Sequence, residues 1–181
     1  MHDEVDITPI VRRVQAMPYV WPAPPDAESA RSRRAGSCAS KHALLAEELL
    51  AAGIESLPLL VVGPLVPRVL ADDPEIAPGR LLPEVHECLT VMTPWSGPLR
   101  VDVTWDPPLI VRGLPGTLDW DGHTDMLLAV GEGGPCWSVP RDGLRSAKEA
   151  LRTRLYREGE REVRDHALAA MAKRFAAWRA D

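Results

Sequence analysis

The sequence of 181 residues is poor in lysine, in cysteine and in long apolar runs. Its 21 basic residues include only three lysines, and its net charge of −5 comes without any block of one sign. A nucleic-acid-binding protein normally has a basic face, so this composition argues against that class. No apolar run approaches the roughly 20 residues of a membrane span, and the acidic N-terminus lacks a signal-peptide pattern. We therefore expect a cytoplasmic protein that binds neither nucleic acid nor membrane.

The sequence also lacks an internal repeat and a flexible linker. We therefore expect a single domain over residues 1–181, with a core at about 17–140 and a helical extension at about 142–181. The three cysteines are too few and too scattered for a disulfide framework, so we expect free thiols in a reducing compartment.

Apolar periodicity and the positions of proline and glycine predict the secondary structure. Predicted helices cover about 9–17, 26–34 and 38–52, and the segment from 142 onward divides into two helices near Glu158-Gly159. Predicted strands cover 57–62, 84–92, 99–105, 126–130 and 136–139, and a proline-rich loop covers 63–83. Apolar stripes on the C-terminal helices are expected to cover the core or a dimer face, without a part in chemistry. The stripe residues are Leu144, Leu151, Leu155, Val163, Met171, Phe175 and Trp178.

Cys38 occupies a position that favours a reactive thiolate. It follows Gly36-Ser37 and begins the predicted helix at 38–52, where Ser37 can act as the N-cap. Unpaired N–H groups and the positive end of the helix dipole lower the pKa of a thiol at such a position, and they are candidate oxyanion donors. The alternative is a buried small residue. We expect Cys88, in mid-strand, and Cys136, after a turn, to be structural.

Two of the five histidines are candidate bases for this thiol. His42 lies four residues after Cys38 on the same helix face, but no nearby residue in the sequence would orient its ring. His2, His123 and His166 are expected at the terminus, in an exposed turn and at a helix edge.

His86 has support from strand register. If the strands at 84–92 and 99–105 form a hairpin whose paired positions sum to 188–190, His86 lies opposite Asp102 on one face. A carboxylate at that distance fixes the tautomer of an imidazole, as a nucleophile–base–acid triad requires. A slip of one residue would place the two side chains on opposite faces, and a chance polar pair at the sheet edge is the alternative.

These residues, in this chain order, resemble the transglutaminase-like superfamily. The resemblance lies in GSCASKHA at 36–43, in EVHECLTV around His86 and in RVDVT at 100–104, and it spans about residues 17–106. It is greatest to small bacterial members with a cysteine motif, a histidine strand and an aspartate strand. It implies an α+β fold with a papain-like core, in which the nucleophile helix packs on an antiparallel sheet. The C-terminal helices here are additions to that core.

The same resemblance implies a function. A triad of Cys38, His86 and Asp102 would attack an amide, peptide or ester carbonyl and form an acyl-enzyme, which water or an amine resolves. We expect hydrolysis slightly more than transfer to an amine, because hydrolysis needs only water and no second binding site. An amine or thioester acyltransferase of a biosynthetic pathway and a catalytically silent binding module stay open as alternatives. Related enzymes place an oxyanion-stabilising side chain before the cysteine, and Tyr19 and Trp21 are the candidates here. Their alternative role is packing against the nucleophile helix.

We expect no cofactor and no metal. A metal site formed by Cys38, His86 and Cys88 is disfavoured, because no short spaced pair of ligands recurs in the chain. The expected partner is a small-molecule or peptide acyl donor, and a homodimer is left open.

Overall fold

The computed structural model describes residues 5–131 and 134–180, and within them the protein is α+β, with a four-stranded antiparallel sheet and six α-helices. The helices are α1 (Thr8–Gln15), α2 (Ala27–Arg33), α3 (Cys38–Ala51), α4 (Pro107–Val111), α5 (Leu144–Leu155) and α6 (Glu160–Ala180). The strands are β1 (Ser56–Pro64), β2 (Pro83–Thr93), β3 (Gly97–Val101) and β4 (Cys136–Ser138), in the sheet order β3-β2-β1-β4. Over the described residues, no helix is both long enough and apolar enough to cross a bilayer.

Helix α3 packs on the sheet through its leucines. Leu44, Leu45 and Leu49 are fully buried and belong to the same apolar cluster as Leu89 and Val91 of β2. The prediction of a helix at 38–52 is thus confirmed. Ser37 is the N-cap residue as predicted, but its side chain makes no capping hydrogen bond.

The hairpin of β2 and β3 has the register at the upper end of the predicted range. Leu89 lies opposite Val101, so paired positions sum to 190, and His86 is not directly opposite Asp102. Strand β3 ends at Val101, short of the predicted end at 105, because Asp102 accepts a hydrogen bond from the Thr104 backbone N–H at 3.0 Å. Such a local turn competes with the strand ladder.

The predicted strand at 126–130 is absent. The Met126 N–H donates to the carbonyl of Arg100 at 2.9 Å, but the Ala129 N–H donates to the carboxylate of Asp102 at 2.8 Å. A backbone N–H of this segment therefore binds the Asp102 side chain instead of continuing the hydrogen-bond ladder of the sheet.

The predicted loop at 63–83 is shorter and more ordered than expected. Its first and last residues belong to β1 and β2, and two short 3₁₀ turns lie between them, at Arg68–Leu70 and Ala77–Gly79. Leu70 and Ile76 within it are buried, so the segment contributes to the core.

The C-terminal segment divides into two helices as predicted, with Gly159 between them in the left-handed region at φ +80°. Met171 and Phe175 are buried, but Val163 is exposed. The neighbouring Arg164 turns toward the protein to pair with Glu84, so a polar side of this turn faces inward and the apolar stripe is interrupted.

An ion pair joins α6 to the residue before α4, and hydrogen bonds join both to the segment that precedes α2. Arg179 donates to the buried carboxylate of Asp106 at 2.6 and 2.7 Å and to the carbonyl of Tyr19 at 3.1 Å. Asp106 also accepts from the Tyr19 N–H at 2.9 Å. Arg179 and Asp106 therefore hold Tyr19 against the end of the last helix.

Arg179→Ala is expected to lower the free energy of unfolding by about 2 kcal/mol, because it leaves the Asp106 carboxylate buried with one fewer charged partner. Chemical denaturation measures this change. Lys173→Ala, at an exposed position of the same helix, is the control and should change the free energy by less than about 0.5 kcal/mol. Equal effects of the two variants would contradict a role for Arg179 in anchoring.

Candidate active site

Cys38 begins α3 and lies in a cleft of about 640 Å³. Its side chain is half-buried, whereas Cys88 is buried and Cys136 is exposed. Because the Ser37 side chain does not cap the helix, the first N–H groups of α3 stay available beside the sulfur. The site therefore combines an accessible thiol with backbone donors.

His86 and Asp102 form a buried hydrogen bond. The Nε2 atom of His86 lies 2.7 Å from Oδ2 of Asp102, and both residues are about 3% exposed. This contact was predicted, although the two residues are displaced by two positions in the observed register. Positions 86 and 102 still share a face, because residues displaced by two in a strand point to the same side.

The Asp102 carboxylate is held by backbone as well as by His86. Oδ2 also accepts the Ala129 N–H, and Oδ1 accepts the Thr104 N–H. Burial alone would raise the pKa of Asp102, but the charge and the hydrogen bond of His86 hold this pKa well below its usual range. Asp102 is therefore an ionised, oriented acceptor.

The thiol of Cys38 and the imidazole of His86 line the same cleft and lie near enough for each group to shift the pKa of the other. Nε2 faces Asp102, which leaves Nδ1 for the side of the cleft cysteine. Burial raises the pKa of the thiol, but the positive charge of Lys148 and the neighbouring His86 imidazole outweigh it, so the pKa of Cys38 is lowered. Burial lowers the pKa of His86, but Asp102 and Cys38 raise it to about 10. Both shifts favour a thiolate–imidazolium pair.

His42, the alternative base, has both ring nitrogens engaged. The Val103 N–H donates to Nε2 at 3.0 Å, so Nδ1 carries the proton and donates to the carbonyl of Cys38 at 2.7 Å. Burial lowers the pKa of His42 to about 4, which keeps the ring neutral. His42 thus joins the start of α3 to the segment after Asp102, and no nitrogen is left to accept a proton from the thiol.

Of the other histidines, His123 and His166 are exposed and do not line the cleft, and His2 lies outside the described residues. None of them is a base for Cys38 within the described structure.

Lys41 is a positioning residue that sequence reasoning missed. It is fully buried, and its Nζ donates to the carbonyls of Gln15, Met17 and Thr104 at 2.8–3.0 Å. Burial lowers the pKa of Lys41 to about 7, and the three acceptors match the three donors of an ammonium group. The available signal was a lysine in the apolar face of a helix.

Lys148 was also missed. It reaches from α5 to the buried carboxylate of Glu87 on β2 at 3.1 Å, and its charge acts on Cys38. Leu144 of α5 and Met171 of α6 line the cleft with it. Two of the predicted stripe residues, Leu144 and Met171, thus line the cleft, and Met171 also belongs to the core.

Tyr19 and Trp21, the predicted oxyanion candidates, both line the cleft with Cys38. Burial and the neighbouring Cys38 raise the pKa of Tyr19, so its hydroxyl stays a donor. Its ring also packs edge-on against Trp105 and Phe175, with centroids 4.7 and 5.9 Å apart. Within the described structure, Tyr19 thus packs on Trp105 and on Phe175 of α6, and not on the helix that the packing alternative named.

A second cysteine lies near the pair. Potential ligand atoms of His86, Cys88 and Asp102 are within 4.8 Å of one another, a set that differs from the one considered from sequence. Burial raises the pKa of Cys88 well above its usual value, so Cys88 is a protonated thiol at neutral pH when no cation is bound. His86 and Asp102 are hydrogen-bonded to each other in this arrangement.

Comparisons with models of protein families, with curated protein sequences and with solved structures found no match to this chain.

Lys148→Met is expected to lower the rate of Cys38 alkylation at acidic pH by about threefold to tenfold, because the thiolate loses a nearby cation. The double variant Glu87→Gln/Lys148→Met should show a smaller loss, since it also removes the Glu87 charge that opposes the thiolate. Rates of iodoacetamide labelling followed by intact mass test both. Unchanged rates at acidic pH in the single variant would show that Lys148 does not act on Cys38.

Proposed function

We propose that the protein is a thiol-dependent enzyme that hydrolyses or transfers an acyl group at an amide, peptide or ester bond, with a papain-like arrangement of Cys38, His86 and Asp102. The observation that carries the proposal is the buried hydrogen bond between the Asp102 carboxylate and the His86 ring, at a cleft that His86 lines together with the Cys38 thiol at the start of α3. A buried carboxylate that orients an imidazole beside a nucleophile is the arrangement that acyl transfer requires.

In the proposed reaction, the Cys38 thiolate attacks the carbonyl carbon, a C–S bond forms and the carbonyl electron pair moves to oxygen. The N–H groups at the start of α3 lie where they can stabilise that oxyanion. His86 gives its proton to the leaving nitrogen or oxygen as the bond to carbon breaks. The result is a thioester on Cys38 and a neutral imidazole.

Resolution of the thioester reverses these roles. Neutral His86 takes a proton from water, the hydroxide oxygen bonds to the acyl carbon, and Cys38 leaves as thiolate with the acid as product. An amine in place of water gives an amide, which is the acyltransferase alternative. The raised pKa of His86 suits it to hold the proton during attack.

The test is a thioester trapped on Cys38. Rapid mixing with excess 4-nitrophenyl butyrate should give a burst of nitrophenol and a mass gain of one butyryl group that maps to Cys38. Cys38→Ala should abolish both signals, and Cys136→Ala should leave them intact. Adding glycinamide separates hydrolysis from transfer, because only transfer yields butyryl-glycinamide. A wild-type protein that gains no acyl mass and releases no nitrophenol would be a silent binding module.

A further inference from the structure

We propose that the cleft takes acyl donors that carry an anionic group, a carboxylate or a phosphate, and that Arg145 recognises this group. The inference rests on the proposed acyl transfer, because it names the substrate class for the same cleft.

The lining of the cleft combines apolar and basic side chains. Trp21, Leu168 and Met171 contribute apolar surface. The helix α5 and the turn before it contribute Arg145 and Arg141. At about 640 Å³ the cleft has the size of a small-molecule site. A ligand that fills it therefore meets apolar groups and cations together.

Most charges lining the cleft are already paired. Glu84 binds Arg152 and Arg164 at 2.5–2.9 Å. The other two carboxylates are paired as well, Glu87 with Lys148 and Glu149 with a residue of α6 outside the cleft. No carboxylate lining the cleft is thus left to neutralise a further cation.

Two arginines remain. Arg141 donates to the carbonyl and the hydroxyl of Ser56, at 2.8 and 2.9 Å, and both acceptors are neutral. Arg145 is exposed at the cleft and makes no hydrogen bond or ion pair with any residue that the structure describes. These two positive charges stand at the cleft of a chain whose net charge is −5.

An uncompensated guanidinium at a cleft attracts anions and can bind a carboxylate or phosphate through two parallel hydrogen bonds. Arg145 lies on the same helix as Lys148, one turn before it, and both line the cleft together with Cys38. An anionic group held by Arg145 would therefore place the reacting carbonyl of the same molecule toward Cys38.

The test compares two alkylating reagents of nearly equal shape, anionic iodoacetate and neutral iodoacetamide. The rate with iodoacetate divided by the rate with iodoacetamide, both at Cys38, reports selectivity for the anion. This measurement does not require turnover. Arg145→Ala should lower this ratio by about threefold and Arg145→Glu by about tenfold. Arg154→Ala removes a cation from an exposed position of the same helix outside the cleft and should leave the ratio unchanged. Ratios within twofold of wild type in both Arg145 variants would overturn the proposal.

Protection of Cys38 from iodoacetamide distinguishes the two anions. Protection by glutarate alone indicates that the site binds a carboxylate. Protection by inorganic phosphate alone indicates that it binds a phosphate, and protection by both indicates that it binds either group. In each case the protection should be lost in Arg145→Glu. Protection by neither at millimolar concentration would count against the site.

Ester turnover separates this inference from the proposed function. Wild-type protein should prefer mono-4-nitrophenyl glutarate to 4-nitrophenyl butyrate, and Arg145→Glu should reverse the preference. Equal turnover of both esters in wild type and variant would overturn the anion site and leave acyl transfer standing. Turnover of neither ester, with a rate ratio that still depends on Arg145, would reject acyl transfer and keep the anion site.

Discussion

Asp102→Asn is expected to lower ester turnover by about three to four orders of magnitude. The carboxylate holds the Nε2 proton of His86, so that Nδ1 faces Cys38, and its charge balances the imidazolium. An amide at this place removes the charge and turns an N–H toward a site that already contains donors. His86 would lose both its fixed tautomer and its raised pKa.

The same substitution should lower the free energy of unfolding by about 1–3 kcal/mol, because Thr104 and Ala129 both donate backbone N–H groups to the carboxylate and an amide cannot accept all these bonds. Turnover must therefore be measured where the variant is folded by circular dichroism. Asp125→Asn is the control, since it removes an exposed carboxylate paired with Arg100. An Asp102→Asn variant that is folded and keeps more than about a tenth of wild-type turnover would be incompatible with the assigned role.

Lys41→Met is expected to lower the free energy of unfolding by about 3–5 kcal/mol. Methionine fills a similar volume but donates nothing, so the carbonyls of Gln15, Met17 and Thr104 would stay buried without this donor. The loss should loosen the junction between the end of α1, the helix α3 and the segment after Asp102. Urea denaturation measures the change.

The matched control is Lys173→Met at an exposed position of α6, which should change the free energy by less than about 0.5 kcal/mol. A loss below about 1 kcal/mol in Lys41→Met would mean that the three hydrogen bonds contribute little net stability. The folded fraction of Lys41→Met should also show slower alkylation of Cys38, because the start of α3 is less fixed.

The meeting of Cys38, His86 and Asp102 could be predicted from sequence because it depends on two robust patterns. Alternation in strands fixes which face a residue occupies, so a displacement of two positions in register still kept His86 and Asp102 on one face. The glycine and serine before the helix gave the start of α3 directly.

Other parts of the site depend on long-range docking, which local patterns do not encode. The ion pair of Glu87 and Lys148 joins residues 61 positions apart, and it forms because α5 crosses the sheet. The Ala129 N–H reaches Asp102 from a segment whose apolar residues predicted a strand. The sequence also did not predict that His42 accepts a hydrogen bond from the backbone of Val103, because the two residues are 61 positions apart.

The pH dependence of Cys38 alkylation tests the central claim, that this thiol exists as a thiolate paired with protonated His86. The lowered pKa of Cys38 means that the thiolate forms below the pH at which a free cysteine ionises. The raised pKa of His86, about 10, means that the imidazolium proton is retained across neutral pH. The ion pair should therefore persist at every pH between the lowered pKa of Cys38 and the raised pKa of His86.

Iodoacetamide labelling with peptide mass mapping, from pH 5 to pH 10, measures this directly. We expect Cys38 to react well ahead of Cys88 and Cys136 at pH 6, where a free cysteine of pKa about 8.5 is almost entirely protonated. His86→Ala should remove this advantage. A Cys38 rate that rises with pH as a free cysteine does, and that is the same in His86→Ala, would contradict the account.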